Sequence, residues 1–319
     1  NWLVALDDSV LIPQTREVVR VEADGAVAAR TLPANGGARV GDDVVLVSDD
    51  ALSRLNVDTL ALIDSCPAPF PAFLVAGLPD GALVISDGQR LARLSCDETS
   101  VVEEWSIGND ITALIADGAS VWALDRVGAT DLTRGAAWRV DKTGEPVAAF
   151  STAKNTGYGA VVDGVLWATA EGSSEVSAWT TADGQVQAEV SIGTSAADAV
   201  VGSDGGVSVT GRLSALVGRI DGDKLTRTEP LVWPWAPVLS GDRLVLLDHL
   251  MGTIASIDAK KLDDLRTVDL GKGPNSLLTF DSVAWWASQG TWLVAESEAD
   301  VLLEVDLEGG AVLREWALG

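Results

Sequence analysis

The stretch RIDGDK, residues 219–224, ends an apolar strand and opens a hairpin turn, and the chain repeats it. The seven other copies are RVEADG at 20–25, RLNVDT at 54–59, RLSCDE at 93–98, RVDKTG at 139–144, WTTADG at 179–184, SIDAKK at 256–261 and EVDLEG at 304–309. Spacings of 36, 39, 44, 40, 40, 37 and 48 residues separate the equivalent positions Glu22, Asp58, Asp97, Asp141, Thr181, Asp221, Asp258 and Asp306. A period near 40 residues indicates a repeat architecture that spans the whole chain.

Each period holds three further strand patterns. An apolar run such as RLVLLDH at 243–249 precedes each copy, and its Leu, Val and Ile content between Asp or Gly residues is typical of a buried strand. A strand follows each hairpin, as in QVQAEVSIG at 185–193, and another opens each period, as in YGAVVDG at 158–164. Four strands per period predict an all-β fold: a β-propeller of four-stranded antiparallel blades, with residues 1–319 as one domain.

The number of blades depends on how many strands the last part of the chain contains. Eight repeats favour eight blades, but SLLTF at 276–280, VAWWAS at 283–288 and WLVAES at 292–297 all have strand patterns. Residues 274–300 therefore hold either one strand pair with an insertion or an extra pair. Seven blades closed by exchange of terminal strands are an alternative, and a β-sandwich with coincidental spacing is another. We expect a closed ring because an open one would expose strand edges.

Composition excludes several classes of function. The chain of 319 residues has 47 acidic and 22 basic side chains, a net charge of −25, which opposes binding to nucleic acid or to anionic membrane surfaces. Charges or Gly interrupt every apolar stretch before 18 residues, so we expect no membrane insertion. One His, two Cys and one Met leave little material for thiolate, haem or copper sites. We expect no cofactor. The alternative is Ca²⁺ held by carboxylates, although no DxDxDG loop is present.

The start of the sequence bears on location. The first residue is Asn1, and no basic and apolar signal segment precedes Trp2, as in a mature or trimmed product. We therefore expect an extracytoplasmic protein, secreted or associated with the cell envelope, and a monomer.

Two segments carry a family resemblance. VSIGTSAADAVVGSDGGVSVTG at 190–211 and VDLGKGPNSLLTFDSVAWWAS at 268–288 resemble the YVTN/NHL-type bacterial β-propeller repeat: a strand, a Gly-Pro-type crossover, a strand, an Asp-Gly turn and a strand. The signature tetrapeptide is absent, and VWAL at 121–124 and VLWA at 165–168 stand in its place. The resemblance implies a propeller architecture from end to end, and similar propellers often occur in surface proteins. It leaves activity open, because one such fold hosts many functions.

The propeller topology brings two parts of each repeat to one face. If strands A to D alternate in direction, the loops between B and C and the crossovers from D to the next A lie together, and we call this side the crossover face. Its B–C positions are mostly acidic: Asp49, Asp50, Asp87, Asp125, Glu171, Asp248 and Glu296. Its crossovers carry Phe70, Phe73, Tyr158 and Trp233-Pro234-Trp235. Carboxylates beside aromatic rings make this the expected ligand face, although Asp and Glu at strand ends also cap turns.

Six residues form the candidate ligand site on this face. Trp233 and Trp235 flank Pro234, so an extended backbone would direct the rings to opposite sides, one to pack and the other to contact a sugar, peptide or apolar ligand. His249, which follows Asp248, is the single residue with an ordinary pKa near neutrality. The candidate set is Trp233, Trp235, Tyr158, Asp125, Asp248 and His249, with no catalytic or metal-binding residue assigned. Packing roles are expected instead for Trp105, Trp122, Trp138, Trp167, Trp179 and Trp316.

Two functions are compatible with these observations. The first is a non-enzymatic binding or scaffold propeller that holds a protein or glycan on the crossover face, since the sequence contains no recognisable catalytic constellation. The alternative, implied by the resemblance, is an enzyme of the lactonase or streptogramin-lyase type, with a divalent cation held by carboxylates in the central channel and His249 or a carboxylate as base.

The two cysteines give conflicting indications. Export favours a bond between Cys66 and Cys96. The blade topology argues against it, because Cys66 ends a D strand on the crossover face and Cys96 ends a C strand on the other face. A strand of about five residues separates those levels by roughly 17 Å, beyond disulfide reach. The sequence leaves the pairing open.

Overall fold

The structure is a computed structural model in which eight four-stranded antiparallel sheets follow one another along the chain. It describes residues 4–5, 9–13, 18–24, 26–40, 43–78, 80–95, 100–118, 120–127, 133–141, 146–170, 174–193, 199–203, 205–211, 214–271, 280–287, 289–296 and 301–318. Within each sheet, hydrogen-bonded neighbours are consecutive in sequence, so every blade is one continuous chain segment. The predicted all-β propeller with eight blades is confirmed.

The strands of the first four blades follow the predicted periods. Blade 1 contains β1 (Val4–Ala5), β2 (Ser9–Pro13), β3 (Val18–Glu22) and β4 (Val27–Arg30). Blade 2 contains β5 (Gly36–Val40), β6 (Asp43–Val47), β7 (Ala51–Asn56) and β8 (Leu62–Pro67). Blade 3 contains β9 (Leu74–Gly77), β10 (Leu83–Ser86), β11 (Arg90–Ser95) and β12 (Ser100–Ser106). Blade 4 contains β13 (Ile111–Ala116), β14 (Ser120–Asp125), β15 (Gly135–Asp141) and β16 (Val147–Thr152).

The second half repeats the arrangement. Blade 5 contains β17 (Thr156–Val162), β18 (Val165–Ala170), β19 (Glu175–Thr180) and β20 (Val186–Ser191). Blade 6 contains β21 (Ala199–Ser203), β22 (Gly206–Gly211), β23 (Leu216–Asp221) and β24 (Lys224–Thr228). Blade 7 contains β25 (Pro234–Ser240), β26 (Arg243–Asp248), β27 (Thr253–Asp258) and β28 (Arg266–Asp269). Blade 8 contains β29 (Phe280–Trp286), β30 (Thr291–Glu296), β31 (Val301–Asp306) and β32 (Ala311–Ala317).

The ring closes by packing. The first strands of successive blades contact one another from β5 through β29, and β29 contacts β1, so strand A of each blade lies at the centre. Val10 and Ile12 of blade 1 share an apolar cluster with Trp286 and Leu293 of blade 8. The alternative of seven blades with exchanged terminal strands is therefore wrong. VAWWAS and WLVAES supply the A and B strands of one blade, and residues 276–279 of SLLTF lie outside the described residues.

The second strands owe their unbroken apolar runs to burial on both faces. In β26, Val245 and Leu247 belong to the cluster shared with blade 8, whereas Leu244 and Leu246 belong to the cluster that includes Val217 of blade 6. Because successive side chains point to opposite faces of a sheet, a strand between two neighbouring blades needs an apolar residue at every position. The core is thus a series of clusters between blades. No helix among the described residues is long and apolar enough to cross a membrane.

The tryptophans expected to pack do so. Trp122 is fully buried, and Phe150 lies between its ring and that of Trp179, with centroid distances of 5.4 Å and 4.9 Å. Trp105 packs in the apolar cluster between blades 3 and 4, and Trp316 packs against Trp286 at a centroid distance of 6.2 Å. Trp167 is buried and Trp138 is partly buried.

Cys66 corrects the topological argument against a disulfide. It lies in β8, is buried, and is disulfide-bonded. Cys96, the other cysteine of the sequence, lies outside the described residues. The expected separation of the two cysteines was the distance between the opposite ends of a strand in a single blade. Cys66 instead packs between two blades, in the same cluster as Leu94 of β11, two positions before Cys96.

Candidate functional site

Asp248 positions the crossover that leads into blade 7. It is the last residue of β26 and is 2% exposed. Its Oδ2 accepts the backbone N–H of Val232 at 2.7 Å, and its Oδ1 accepts those of Trp233 and Met251, both at 3.2 Å. One carboxylate therefore ties the crossover to the loop between strands B and C.

Asp125 does the same in blade 4. It is fully buried at the end of β14, where its Oδ1 accepts the N–H of Asp110 at 2.9 Å and that of Val127 at 3.2 Å, and its Oδ2 accepts the N–H of Asn109 at 3.3 Å. Burial raises the pKa of this carboxyl, and the hydrogen bonds from Asp110, Val127 and Asn109 offset the rise only in part. Both predicted aspartates thus have the turn-capping role that the sequence left open.

Three of the predicted residues meet in one group, which we call the aromatic cluster: Tyr158, Trp235 and His249. The ring of Tyr158 meets that of Trp235 edge to face at a centroid distance of 6.1 Å and an angle of 88°. The imidazole of His249 lies 5.9 Å from the ring of Trp235. Tyr158 and Trp235 are partly exposed, whereas His249 is buried beneath them. Edge-to-face contacts of this kind hold rings in fixed orientations.

The aromatic cluster lies where the central channel opens on the crossover face. Tyr158 comes from β17 in blade 5 and Trp235 from β25 in blade 7, both A strands near their first residues. Because blade 6 separates these blades along the channel wall, their rings meet at the channel mouth. Both strands have an irregular register here, between Thr156 and Tyr158 and between Trp235 and Val238. Such bulges redirect side chains next to binding sites.

The crossover beside the cluster presents apolar surface. Trp233 is half-buried, its carbonyl oxygen accepts the N–H of His249 at 3.2 Å, and its indole Nε1 is buried without a hydrogen-bond partner among the described residues. Val232 is 50% exposed and Met251 is 43% exposed. All six predicted ligand residues are therefore accounted for: four lie in the cluster and its crossover, Asp248 lies beneath them, and Asp125 lies three blades away.

The other residues predicted on this face have separate environments. Phe70 is buried under the guanidinium of Arg90, whereas Phe73 is half-exposed. Burial opposes ionisation of Asp87, but the N–H groups of Arg90 and Gln89 and the Arg90 guanidinium lower its pKa below the ordinary value. Asp49 accepts a hydrogen bond from Asn35. Glu171 and the side chain of Glu296 lie outside the described residues.

Sequence reasoning missed Arg126. Its N–H donates to the carbonyl of Asp110 at 2.9 Å, so it occupies in blade 4 the position that His249 occupies in blade 7. A Cβ placed on Gly157 would lie 3.3 Å from Thr112 Oγ1 and 3.5 Å from Arg126 Nε, so the Arg126 side chain reaches blade 5 one residue before Tyr158. Alignment of SVWALDR with RLVLLDH, in which Arg follows Asp as His does, contained this signal.

No family model of known proteins matches this sequence, and no curated protein matches it. Solved structures do match. Dihydro-heme d1 dehydrogenase NirN, in complex with DHE, superposes with a TM-score of 0.75 at 13% identity, covering 99% of this chain and 76% of that one. Apo AztD from Citrobacter koseri gives 0.69 at 12% identity, with 97% and 94% covered. Virginiamycin B lyase from Staphylococcus aureus gives 0.58 at 14% identity, with 77% and 90% covered. The chain is a β-propeller.

Identities this low show a shared fold and transfer no activity. The propeller part of the resemblance to YVTN/NHL-type repeats is confirmed, but membership of that family is not. The described residues contain no group of three or more His, Cys, Asp and Glu placed to hold a metal ion.

Proposed function

We propose that this propeller is a non-enzymatic binding protein that holds a protein partner at the mouth of its channel on the crossover face. The observation that carries the proposal is the convergence of Tyr158 and Trp235, from blades 5 and 7, over His249. Rings fixed by contacts with one another lose little conformational entropy when a partner binds.

The surface around the cluster favours a protein over a glycan. Exposed Val232 and Met251 border Trp233 and Trp235, and an apolar patch with Met and aromatic residues has the composition of a protein interface. A sugar site would place more polar side chains around the rings. Because the chain carries a net charge of −25, a partner with a basic rim around an apolar centre would associate fastest.

The geometry gives the lyase-like or lactonase-like alternative no specific support. Asp125 and Asp248 are among the carboxylates that such a site would recruit, and each already accepts three backbone N–H groups. A cation would have to compete with these hydrogen bonds. We therefore propose binding as the function, without a resident metal.

We also propose that the protein works outside the cytoplasm, as a monomer. The disulfide at Cys66 supports the location, because disulfides persist in oxidising compartments and are rare in the cytosol.

Selection from a random 12-residue peptide library displayed on phage tests the proposal, with a glycan array run in parallel. We expect enriched peptides that combine aromatic with basic residues and that lose at least tenfold in affinity for Trp235→Ala, as truncation of a central aromatic anchor does. Trp285→Ala, on the opposite face, serves as the matched control and should bind normally. Absence of any peptide that depends on Trp235 would refute the proposal, and Trp235-dependent binding of glycans alone would assign the face to a sugar.

A further inference from the structure

A cavity opens between blades 7 and 8 on the face opposite the crossovers. Its volume is about 180 Å³. Blade 7 contributes Ser240, Arg243 and Ser256, and blade 8 contributes Trp285, Trp292 and Glu308. These residues lie near the turns between strands A and B and between strands C and D, so the cavity is remote from the aromatic cluster.

Comparison with the contact between blades 5 and 6 shows that the tryptophan pair in this cavity is unusual. In blade 8, Trp285 of strand A pairs with Trp292 of strand B, and one more residue pair follows before the A–B turn. In blade 6, the equivalent pair is Gly202 and Val207. The blade 5–6 seam also has a cavity, about 250 Å³, but glycines and aliphatic residues form much of its lining. Gly and Val are thus enough to build this part of a seam, and a pair of tryptophans is not required for packing.

The two rings form a rigid apolar wall. Their centroids lie 5.0 Å apart with the planes at 53°. Trp292 is buried and Trp285 is partly buried, so Trp285 presents the accessible face. The blade 7 side of the cavity is polar. The last residue pair before its A–B turn is Ser240 and Arg243, whereas the equivalent pair in blade 5 is Val162 and Val165.

The polar side of the cavity carries both signs of charge, and its arginine is held in place by hydrogen bonds. Arg243 donates from Nε to Ser256 Oγ at 2.7 Å, from Nη1 to Asp264 Oδ2 at 2.7 Å and from Nη2 to the Asp264 carbonyl at 2.8 Å. A guanidinium has five N–H donors, so two are left for a ligand. Glu308 forms an ion pair with Arg266, which also pairs with Asp264. Positive and negative groups therefore alternate around the opening.

This combination selects a class of ligand. The face of Trp285 beside a rim of donors and acceptors suits a ring that has C–H groups on one face and hydroxyls at its edge. A net charge of −25 disfavours an anion, and a lining in which Arg243 and Glu308 have opposite charges offers a cation no net negative charge. We propose that the cavity between blades 7 and 8 binds one pyranose ring of a neutral sugar, stacked on Trp285, with its hydroxyls bonded to Arg243 and Glu308.

Titration with the methyl glycosides of glucose, mannose, galactose and N-acetylglucosamine tests this site, with tryptophan fluorescence and calorimetry as readouts. We expect saturable binding of at least one glycoside, weakened about tenfold by Trp285→Ala through loss of the stacking surface. Glu308→Gln keeps an exposed side chain of the same shape, so it should fold normally and weaken binding severalfold. Trp167→Phe, in the blade 5–6 cavity, and Trp235→Ala, on the crossover face, are the matched controls and should leave affinity unchanged.

Three results would overturn the proposal. The first is that no glycoside of the panel shows saturable binding. The second is that Trp285→Ala and Glu308→Gln both bind with the affinity of the wild type. The third is that choline or glucuronate binds better than the neutral glycosides. None of them bears on the crossover face, since peptide selection there depends on Trp235. The two sites can therefore fail or succeed separately.

Discussion

Arg314 of blade 8 donates a hydrogen bond from Nη1 to the backbone carbonyl oxygen of Ala23 in blade 1, at 3.2 Å, across 291 residues of chain. The same guanidinium bonds through Nε to Glu304, whose side chain is 2% exposed and also accepts a hydrogen bond from Thr291 at 2.9 Å. One partly exposed cation thus links the last blade to the first and neutralises a buried carboxylate. Among the described residues the sheets of blades 8 and 1 each consist of four consecutive strands, so side-chain contacts hold the ring closed at this seam.

Arg314→Met should therefore lower the free energy of unfolding by about 1–3 kcal/mol, because it leaves the Glu304 carboxylate buried without its cation. The value lies below that of a fully buried pair because Arg314 is 37% exposed. In urea unfolding, Arg314→Met combined with Glu304→Gln should lose less than the sum of the single variants. Arg266→Met, in an exposed ion pair of blade 7, is the control and should change little. Additive losses would show that Arg314 and Glu304 are not coupled.

Opposite pKa shifts at two aspartates of the crossover face predict opposite pH effects. The pKa of Asp87 lies below 3.8 in the folded protein, so its ionised form stabilises the fold above pH 3.8 and this contribution is lost as pH falls through the lowered pKa. The pKa of Asp125 lies above 3.8, so its contribution is fully present below pH 3.8 and is lost as pH rises through the raised pKa.

Measured against Asp87→Asn, the wild type should gain stability between pH 3 and pH 6. Measured against Asp125→Asn, it should lose stability over the same interval. Chemical unfolding at a series of pH values gives both differences, and each variant is the control for the other. Slopes of the same sign would contradict the assignment of burial as the dominant effect at Asp125.

Asp248 lies beneath the proposed binding surface, so its removal should affect both stability and binding. Asp248→Ala deprives Val232, Trp233 and Met251 of the acceptor for their N–H groups, and a cost of about 1–3 kcal/mol in the free energy of unfolding is expected. Asp125→Ala removes three equivalent bonds in blade 4 and is the matched control. Both variants should be destabilised, but Asp248→Ala should reduce binding of a selected peptide much more. If both variants bound the peptide equally well, the crossover of blade 7 would not be part of the binding surface.

The sequence predicted the eight-blade ring because a 40-residue period and buried B strands leave a strong local pattern. Asp125 and Asp248 were placed correctly at the ends of their B strands, but a sequence does not distinguish a carboxylate that faces a channel from one that accepts backbone N–H groups. The contact between Tyr158 and Trp235 could not be derived, because it joins two blades across a third. Five copies of the repeat begin with Arg, at Arg20, Arg54, Arg93, Arg139 and Arg219, but the sequence does not reveal their partners.

Two of these arginines form ion pairs between strands C and B. Arg54 pairs with Asp43 at 2.6 Å and Arg93 with Asp80 at 2.7 Å, in both cases from strand C to a carboxylate near the start of strand B. In blade 8 the same position carries Glu304. The reversed charge there accompanies Arg314, which reaches blade 1. Arg occupies this position in five copies and Trp179 and Ser256 occupy it in two, so the acidic Glu304 marks the copy beside the seam where the ring closes.

The disulfide at Cys66 predicts a redox-sensitive fold. Intact mass should rise by two hydrogen masses on reduction, because the sequence has two cysteines and Cys66 is bonded. Reductant should also lower the thermal midpoint, since a cross-link restricts the unfolded chain. Cys66→Ser should have the lower midpoint with or without reductant. An unchanged mass would mean that the thiols are free in solution.

Divalent cations provide the last prediction, which separates a binding propeller from a metal-dependent enzyme. Carboxylates are the preferred ligands of Ca²⁺, but those of Asp125 and Asp248 already accept three N–H groups each, and a cation would have to displace these bonds. We therefore expect no change in thermal midpoint when Ca²⁺ or Mg²⁺ is added at millimolar concentration to protein treated with a chelator. A specific site would raise the midpoint with cation concentration, whereas general screening of the net charge of −25 would be reproduced by NaCl at equal ionic strength. A rise specific to Ca²⁺ and abolished by Asp248→Asn would restore the enzymatic alternative.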